Sequence, residues 1–213
     1  MYLPAHFTET RPEAIARILA DHPLGMLVRQ GPGGLLDADH IPFEFEPGAD
    51  GAPARLRAHV ARANPLWQEV PAEGLPVLVV FRGAEAAISP NWYPSKHEAH
   101  RQVPTWNYEV VHVHGRLQVH DDERWVRSLV ARLTRRHEAA EPKPWKMGDA
   151  PPDYLDAMLK MIVGIEVEIT ALTAKSKLGQ NKEARDRLGA AEALAAKGEG
   201  ELAELMRQAG PAA

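Results

Sequence analysis

The chain has 213 residues, 45% hydrophobic and 25% charged, the balance of a folded globular protein long enough to bury a core without covalent staples. It contains no cysteine, which excludes disulfides, thiolate nucleophiles, cysteine-ligated metal centres and dithiol redox chemistry. With 25 Lys and Arg against 29 Asp and Glu, the formal charge is −4, so any contact with DNA would have to run through a local surface that the sequence does not mark.

Met1 to Thr10 lacks the basic start and apolar middle of a signal peptide, and no apolar run nears the roughly 20 residues of a membrane span, so a cytoplasmic protein without a membrane helix is expected. Pro12 opens a short amphipathic helix carrying Ile15, Ile18 and Leu19, which the His22-Pro23 step ends. Leu24 to Gln30, Leu35 to Glu46 and Ala54 to Val60 alternate as strands. They are separated by turn compositions at Gly31 to Gly34 and Pro47 to Pro53. Pro76 to Arg82 is nearly all apolar, the pattern of a central strand buried on both faces, and Ala84 to Ser89 follows after a tight connection at Gly83. Pro90 to Pro104 reads as a long loop.

Tyr108 to His120 predicts a half-buried strand, with Val111, Val113, Leu117 and Val119 on one face and His112, His114, Arg116, Gln118 and His120 on the other. Asp121-Asp122-Glu123 caps a helix whose apolar stripe is Trp125, Val126, Leu129, Val130 and Leu133. A short helix over Asp153 to Lys160 leads to a last strand, Gly164 to Leu172, with Glu166 and Glu168 on its solvated side. Lys175 to Lys182 then reads as a polar loop, and two helical segments occupy Glu183 to Ala213. Some seven strands without βαβ alternation predict a mainly β chain with peripheral helices, an antiparallel barrel closed or half closed.

Two clusters could carry chemistry. In LRAHVARANPLW, Arg57 and His59 share a strand face, and Arg62 and Asn64 stand where the strand gives way to a helical turn. Cations beside freed N–H groups suit a phosphate, and the same residues equally suit a solvated strand and a proline-initiated turn. SPNWYPSK and VPTWNY gather Ser89, Trp92, Tyr93, Ser95, Lys96, Thr105, Trp106 and Asn107 in a chain only 6% aromatic. Ring walls with hydroxyl, amide and ammonium groups suit a flat phosphorylated heteroaromatic; the competing reading is an aromatic mini-core that pins the loop. His112 and His114 share a face but lack an identifiable third ligand, so solvated histidines are expected in place of a metal centre. There is no GxSxG elbow and no GxGxxG, and no residue is assigned a catalytic role. The arginines 124, 127, 132, 135 and 136 are expected to form a solvated helix face.

These clusters, with MYLPAHF, HIPF, VLVVFRGAEAAISPNWYPSK, VPTWNYEVVHVHG and IVGIEVEIT…KSKLGQNK, resemble the PaiB-type family of FMN-binding negative transcriptional regulators from Met1 to about Lys182. The resemblance implies an FMN-binding split β-barrel of Greek-key antiparallel type over residues 1–182, a C-terminal helical extension over 183–213, and a homodimer with flavin at the subunit interface. It implies Arg57, His59, Arg62 and Asn64 at the phosphate and ribityl end, and Ser89, Trp92, Tyr93, Ser95 and Lys96 as a second wall. Thr105, Trp106 and Asn107 would lie near the ring. Many relatives carry Ser where this chain has Gly179, which removes a hydroxyl and leaves Gln180, Asn181 and Lys182. The implied function is negative transcriptional regulation. The alternatives are an FMN-dependent oxidoreductase on the same scaffold and a haem-binding split-barrel protein that uses histidine.

Overall fold

The computed structural model describes residues 1–49 and 54–210. Its elements in chain order are β1 (Thr8–Glu9), α1 (Pro12–Asp21), β2 (Leu24–Gln30), β3 (Leu36–Pro42), β4 (Glu44–Glu46), β5 (Arg55–Ala61), β6 (Leu75–Ile88), α2 (Pro94–Ala99), β7 (Thr105–His120), α3 (Glu123–His137), α4 (Pro152–Leu159), β8 (Ile162–Lys177), α5 (Ala184–Ala195) and α6 (Gly200–Gln208). The strands hydrogen-bond in the order β3-β2-β6-β7-β8-β5-β4, with β1 on β8. The β1–β8, β2–β3, β4–β5 and β5–β8 pairings are antiparallel. Because β6 neighbours β2 and β8 neighbours β5, the sheet is not a simple meander.

Several expectations are corrected. Leu35 to Glu46 is two strands broken at Phe43: its N–H donates in register to Pro23 O at 2.8 Å, but Pro23 has no N–H to return the bond, and the ladder ends there. Gly83 is no turn: β6 runs straight through it, and the missing side chain lets the strand lie against Glu109, where a β-carbon would stand 3.0 Å from Glu109 Cβ. Nor is β6 buried on both faces, since Val77, Val79 and Phe81 are buried while Leu78 and Val80 are only half-buried. The long loop holds a 3₁₀ turn at Pro90–Trp92 and the helix α2, each started by proline. The last strand extends five residues beyond Leu172 to Lys177, because Thr8 and Glu9 pair with Lys175 and Ala174. Glu166 is not solvated but buried against Arg57 at 2.7 Å. The turn expected at residues 47–53 lies in part, at 50–53, outside the described residues, as do the final three residues of the C-terminal segment.

The chain divides into two compact units. The first comprises Met1–His22, Val80–His112 and Leu172–Ala213. One of its cores joins Ile88, Tyr93 and Leu178 to Ala190, Ala191 and Leu194 of α5 and to Leu202, Ala203 and Met206 of α6. Gly198, at φ 89°, makes the left-handed step that separates these two helices.

The second unit comprises Pro23–Val79 and Val113–Ala171. It buries Leu27, Leu56, Ala58, Val113, Leu117, Ile165 and Val167 from its strands, and Val126, Leu129 and Leu133 from α3. Asp122 caps α3 by accepting from Trp125 N at 2.8 Å, as the acidic triplet predicts. The arginines of α3 are not a free basic stripe, since Arg127 pairs with Glu123 and Asp156, and Arg132 is held by Glu44.

Candidate functional site

In the second unit, the strand register sets Arg57 opposite Glu166 and His59 opposite Gly164. Arg57 donates through Nε to Glu166 and also pairs with Glu46. Arg62 forms a two-pronged pair with Asp121 at 2.5 and 3.0 Å, and its Nε donates to Lys160 O at 2.7 Å. Asn64 caps the Pro65–Glu69 turn, accepting from Leu66 N and donating to Asp39, both at 2.8 Å. These three polar groups are therefore satisfied within their own unit. His59 is different: its Nδ1 is buried without a hydrogen-bond partner, and burial pushes its pKa below the usual histidine range.

The first unit holds the other eight sequence candidates. Ser89 Oγ accepts from Asn91 N at 3.3 Å, closing the Pro90–Trp92 turn. Trp92 and Tyr93 then pack on α5, where Gly189 permits an approach so close that a β-carbon would lie 2.6 Å from Trp92 O. Tyr93 is only 2% exposed, and burial with the nearby Asp186 carboxylate raises its pKa. Ser95 donates its N–H at 3.0 Å and its hydroxyl at 2.5 Å to the buried Asp186. The aromatic loop is thus stapled to the C-terminal helices, with Tyr93 serving as core. Lys96 is half-buried. Asn107 is buried, its amide reaching only Met206 Sδ at 3.5 Å. Trp106 is 50% exposed.

A group that the sequence reading passed over as a loop completes this region. Lys177, at the end of β8, donates to Thr105 Oγ1 at 2.6 Å and to Trp106 O at 2.7 Å. Lys182 donates to Gln102 Oε1 at 2.7 Å and lies over the Tyr93 ring. Lys175 donates to Tyr2 O and sits among the rings of Tyr2, Phe7 and Tyr108. The connection between them is rigid. Gln180 accepts from Leu178 N at 2.8 Å and donates to Ser176 O at 2.7 Å, while Gly179 takes φ 86°. None of the three lysines has a carboxylate within ion-pair distance among the described residues. Burial lowers the pKa of Lys177; Tyr108 offsets this, and the charges of Lys175 and Lys182 add to the lowering. The sequence signal was the alternation Lys175-x-Lys177, which puts two ammonium groups on one strand face. Among the described residues no three His, Asp or Glu side chains converge to hold a metal ion, and no helix is long and apolar enough to cross a membrane.

Comparison with known proteins gives the family and the fold. The family FMN_bind_2, described as "Putative FMN-binding domain", matches residues 1–171. The Bacillus subtilis protein "Protease synthase and sporulation protein PAI 2" is 30% identical over 91% of this chain and 89% of its own length. An uncharacterized Aspergillus fumigatus protein is likewise 30% identical, over 90% of each chain. Among solved structures, the FAD and heme binding protein of Mycobacterium smegmatis superposes with a TM-score of 0.55 at 18% identity, covering 81% of this chain and 74% of that one. The chain therefore belongs to this FMN-binding family, with a mainly β, flavin-binding split-barrel fold and FMN as its cofactor.

Proposed function

We propose that the chain works as an FMN-binding negative regulator, a homodimer that holds the flavin phosphate at Lys177 and Lys182 and rests the ring on Trp106. The observation that carries this reading is the uncompensated charge of Lys175, Lys177 and Lys182. Three ammonium groups without a carboxylate repel one another, and a phosphate dianion relieves that repulsion. The donor set fits the group: two ammonium heads and the Thr105 hydroxyl for the phosphate, and a half-exposed indole for the isoalloxazine. Arg57 and Arg62 fit it less well, because Glu46, Glu166 and Asp121 already neutralise them. The phosphate is accordingly assigned to the lysines.

Bound FMN supplies one- and two-electron redox chemistry. The residues of this chain bind and orient it. Lys177 keeps its proton when the phosphate is present, so affinity falls as the pH rises through the lowered pKa of that lysine. Val103, 72% exposed, flanks Trp106, and a second copy covering both would close the ring site. The regulatory role is supported by the similarity to PAI 2.

Titration of the apoprotein with FMN, read by quenching of flavin fluorescence and by sedimentation, tests this reading. Saturable binding to a dimer is expected, weakened at least about tenfold in Lys177→Met, and weakening in the wild type at a lower alkaline pH than an unperturbed lysine would give. Rapid reduction of the bound flavin by NADH with turnover would replace the regulator by an oxidoreductase, and absence of FMN binding would remove both.

A further inference from the structure

The second unit carries a cavity that the flavin reading does not use. It lies between the last two turns of α3 and the segment that follows, has a volume of ≈ 490 Å³, and is walled by Ala131, Ala139, Pro144, Trp145 and Met147. That volume is in the range of about 300–1,000 Å³ typical of small-ligand sites. The walls are methyl, methylene, thioether and indole groups, and Trp145 remains 42% exposed within them. The segment is held in place by its own hydrogen bonds. Glu138 Oε2 accepts from Trp145 N at 2.9 Å, Asp149 accepts from Lys146 N at 3.0 Å, and Ala139 N and Glu141 N donate back to Arg136 O and Glu138 O. A preformed apolar wall presented to water on a pinned segment has an unrealised burial energy.

The rim decides what kind of molecule fits. Arg135 and Lys146 both line the cavity, and neither has a carboxylate partner among the described residues. The carboxylate in the lining, Glu138, accepts from the Trp145 N–H and, set against Arg135 and Lys146, leaves the rim a formal charge of +1. Two unpaired cationic heads above an apolar floor complement an apolar body that ends in a single negative charge. We infer that this cavity binds an apolar carboxylate, an aryl or medium-chain acyl acid, with its body against Trp145 and Met147 and its carboxylate between Arg135 and Lys146.

Calorimetric titration with 1-naphthoate and with decanoate tests the site, alongside 1-naphthalenemethanol as the neutral analogue. Saturable binding of at least one acid is expected, with Kd on the order of 10–100 μM, and the alcohol should bind at least about tenfold more weakly. Arg135→Ala with Lys146→Ala should weaken the acid by a similar factor, and Trp145→Ala should abolish binding. Both variants are at exposed positions, and FMN affinity is expected to be unchanged in each. Failure of FMN binding with carboxylate binding intact therefore leaves this inference standing. Equal affinity for acid and alcohol, indifference to Trp145→Ala, or no saturation by 1-naphthoate or decanoate at millimolar concentration would overturn it. So would a second copy of the chain seated over Trp145, seen as an indole shielded from acrylamide without ligand.

Discussion

Gly115 lies where β7 has no room for a side chain: a β-carbon there would stand 2.4 Å from Val167 Cγ1 and 2.5 Å from the backbone oxygen of Glu168. The backbone atom cannot rotate away, so Gly115→Ala should cost about 1–3 kcal/mol, read as a lower urea midpoint at constant slope. His59 and His120 provide a second test at this scale. Burial lowers the pKa of each, and for His120 the pull of Glu166 and Asp122 is set against the push of Arg57 and Arg55. Their folded pKa lies below the unfolded value of about 6.5, so above that pH both are neutral in either state and add nothing to the pH slope. Below it the unfolded chain takes up protons first, and stability falls until the folded pKa is passed. The urea midpoint should therefore drop between neutral and weakly acidic pH, and His59→Gln should flatten that slope. Residue by residue, the sequence showed which positions were polar but not which were already paired. Arg57 and Arg62 read as free cations because Glu166 and Asp121, which neutralise them, are about a hundred and about sixty positions away along the chain.

Hydrophobic period and capping residues located most elements. The α1 limits at Pro12 and before Pro23, the Asp122 cap of α3 and the break near Gly198 followed from local chemistry that tertiary structure did not override. The errors in β6 and β8 share one cause. A glycine inside a strand and a lysine-rich strand end both look like loop in isolation, and only the neighbour that fills the gap or pairs the edge reveals them. The aromatic loop was legible as a concentration of rings, while its partner, the Ala190–Leu194 face of α5, was not, since small alanines carry little pattern. Leu194, 1% exposed, is central to that contact. Leu194→Ala should cost about 2–5 kcal/mol by urea denaturation. It should also raise the exposure of Tyr93, seen as a change in near-ultraviolet circular dichroism. A loss under 1 kcal/mol would mean that α5 and α6 add little to the first unit.

For the whole molecule, fold class and cofactor were readable because several motifs occur in order along the chain, whereas charge balance at the site was not. The net charge of −4 gives no hint of a phosphate site. Only the three-dimensional pairing separates arginines that are spoken for from lysines that are not. In the function proposed above, this uncompensated charge holds the phosphate of FMN. Riboflavin, which lacks only that phosphate, isolates the contribution. The most direct measurement is the ratio of riboflavin to FMN dissociation constants in the wild-type protein and in Lys177→Met combined with Lys182→Met. A ratio of at least about 100 is expected in the wild type, collapsing to within a few-fold of one in the double variant. A large ratio that survives loss of both lysines, or a wild-type ratio near one, would contradict it.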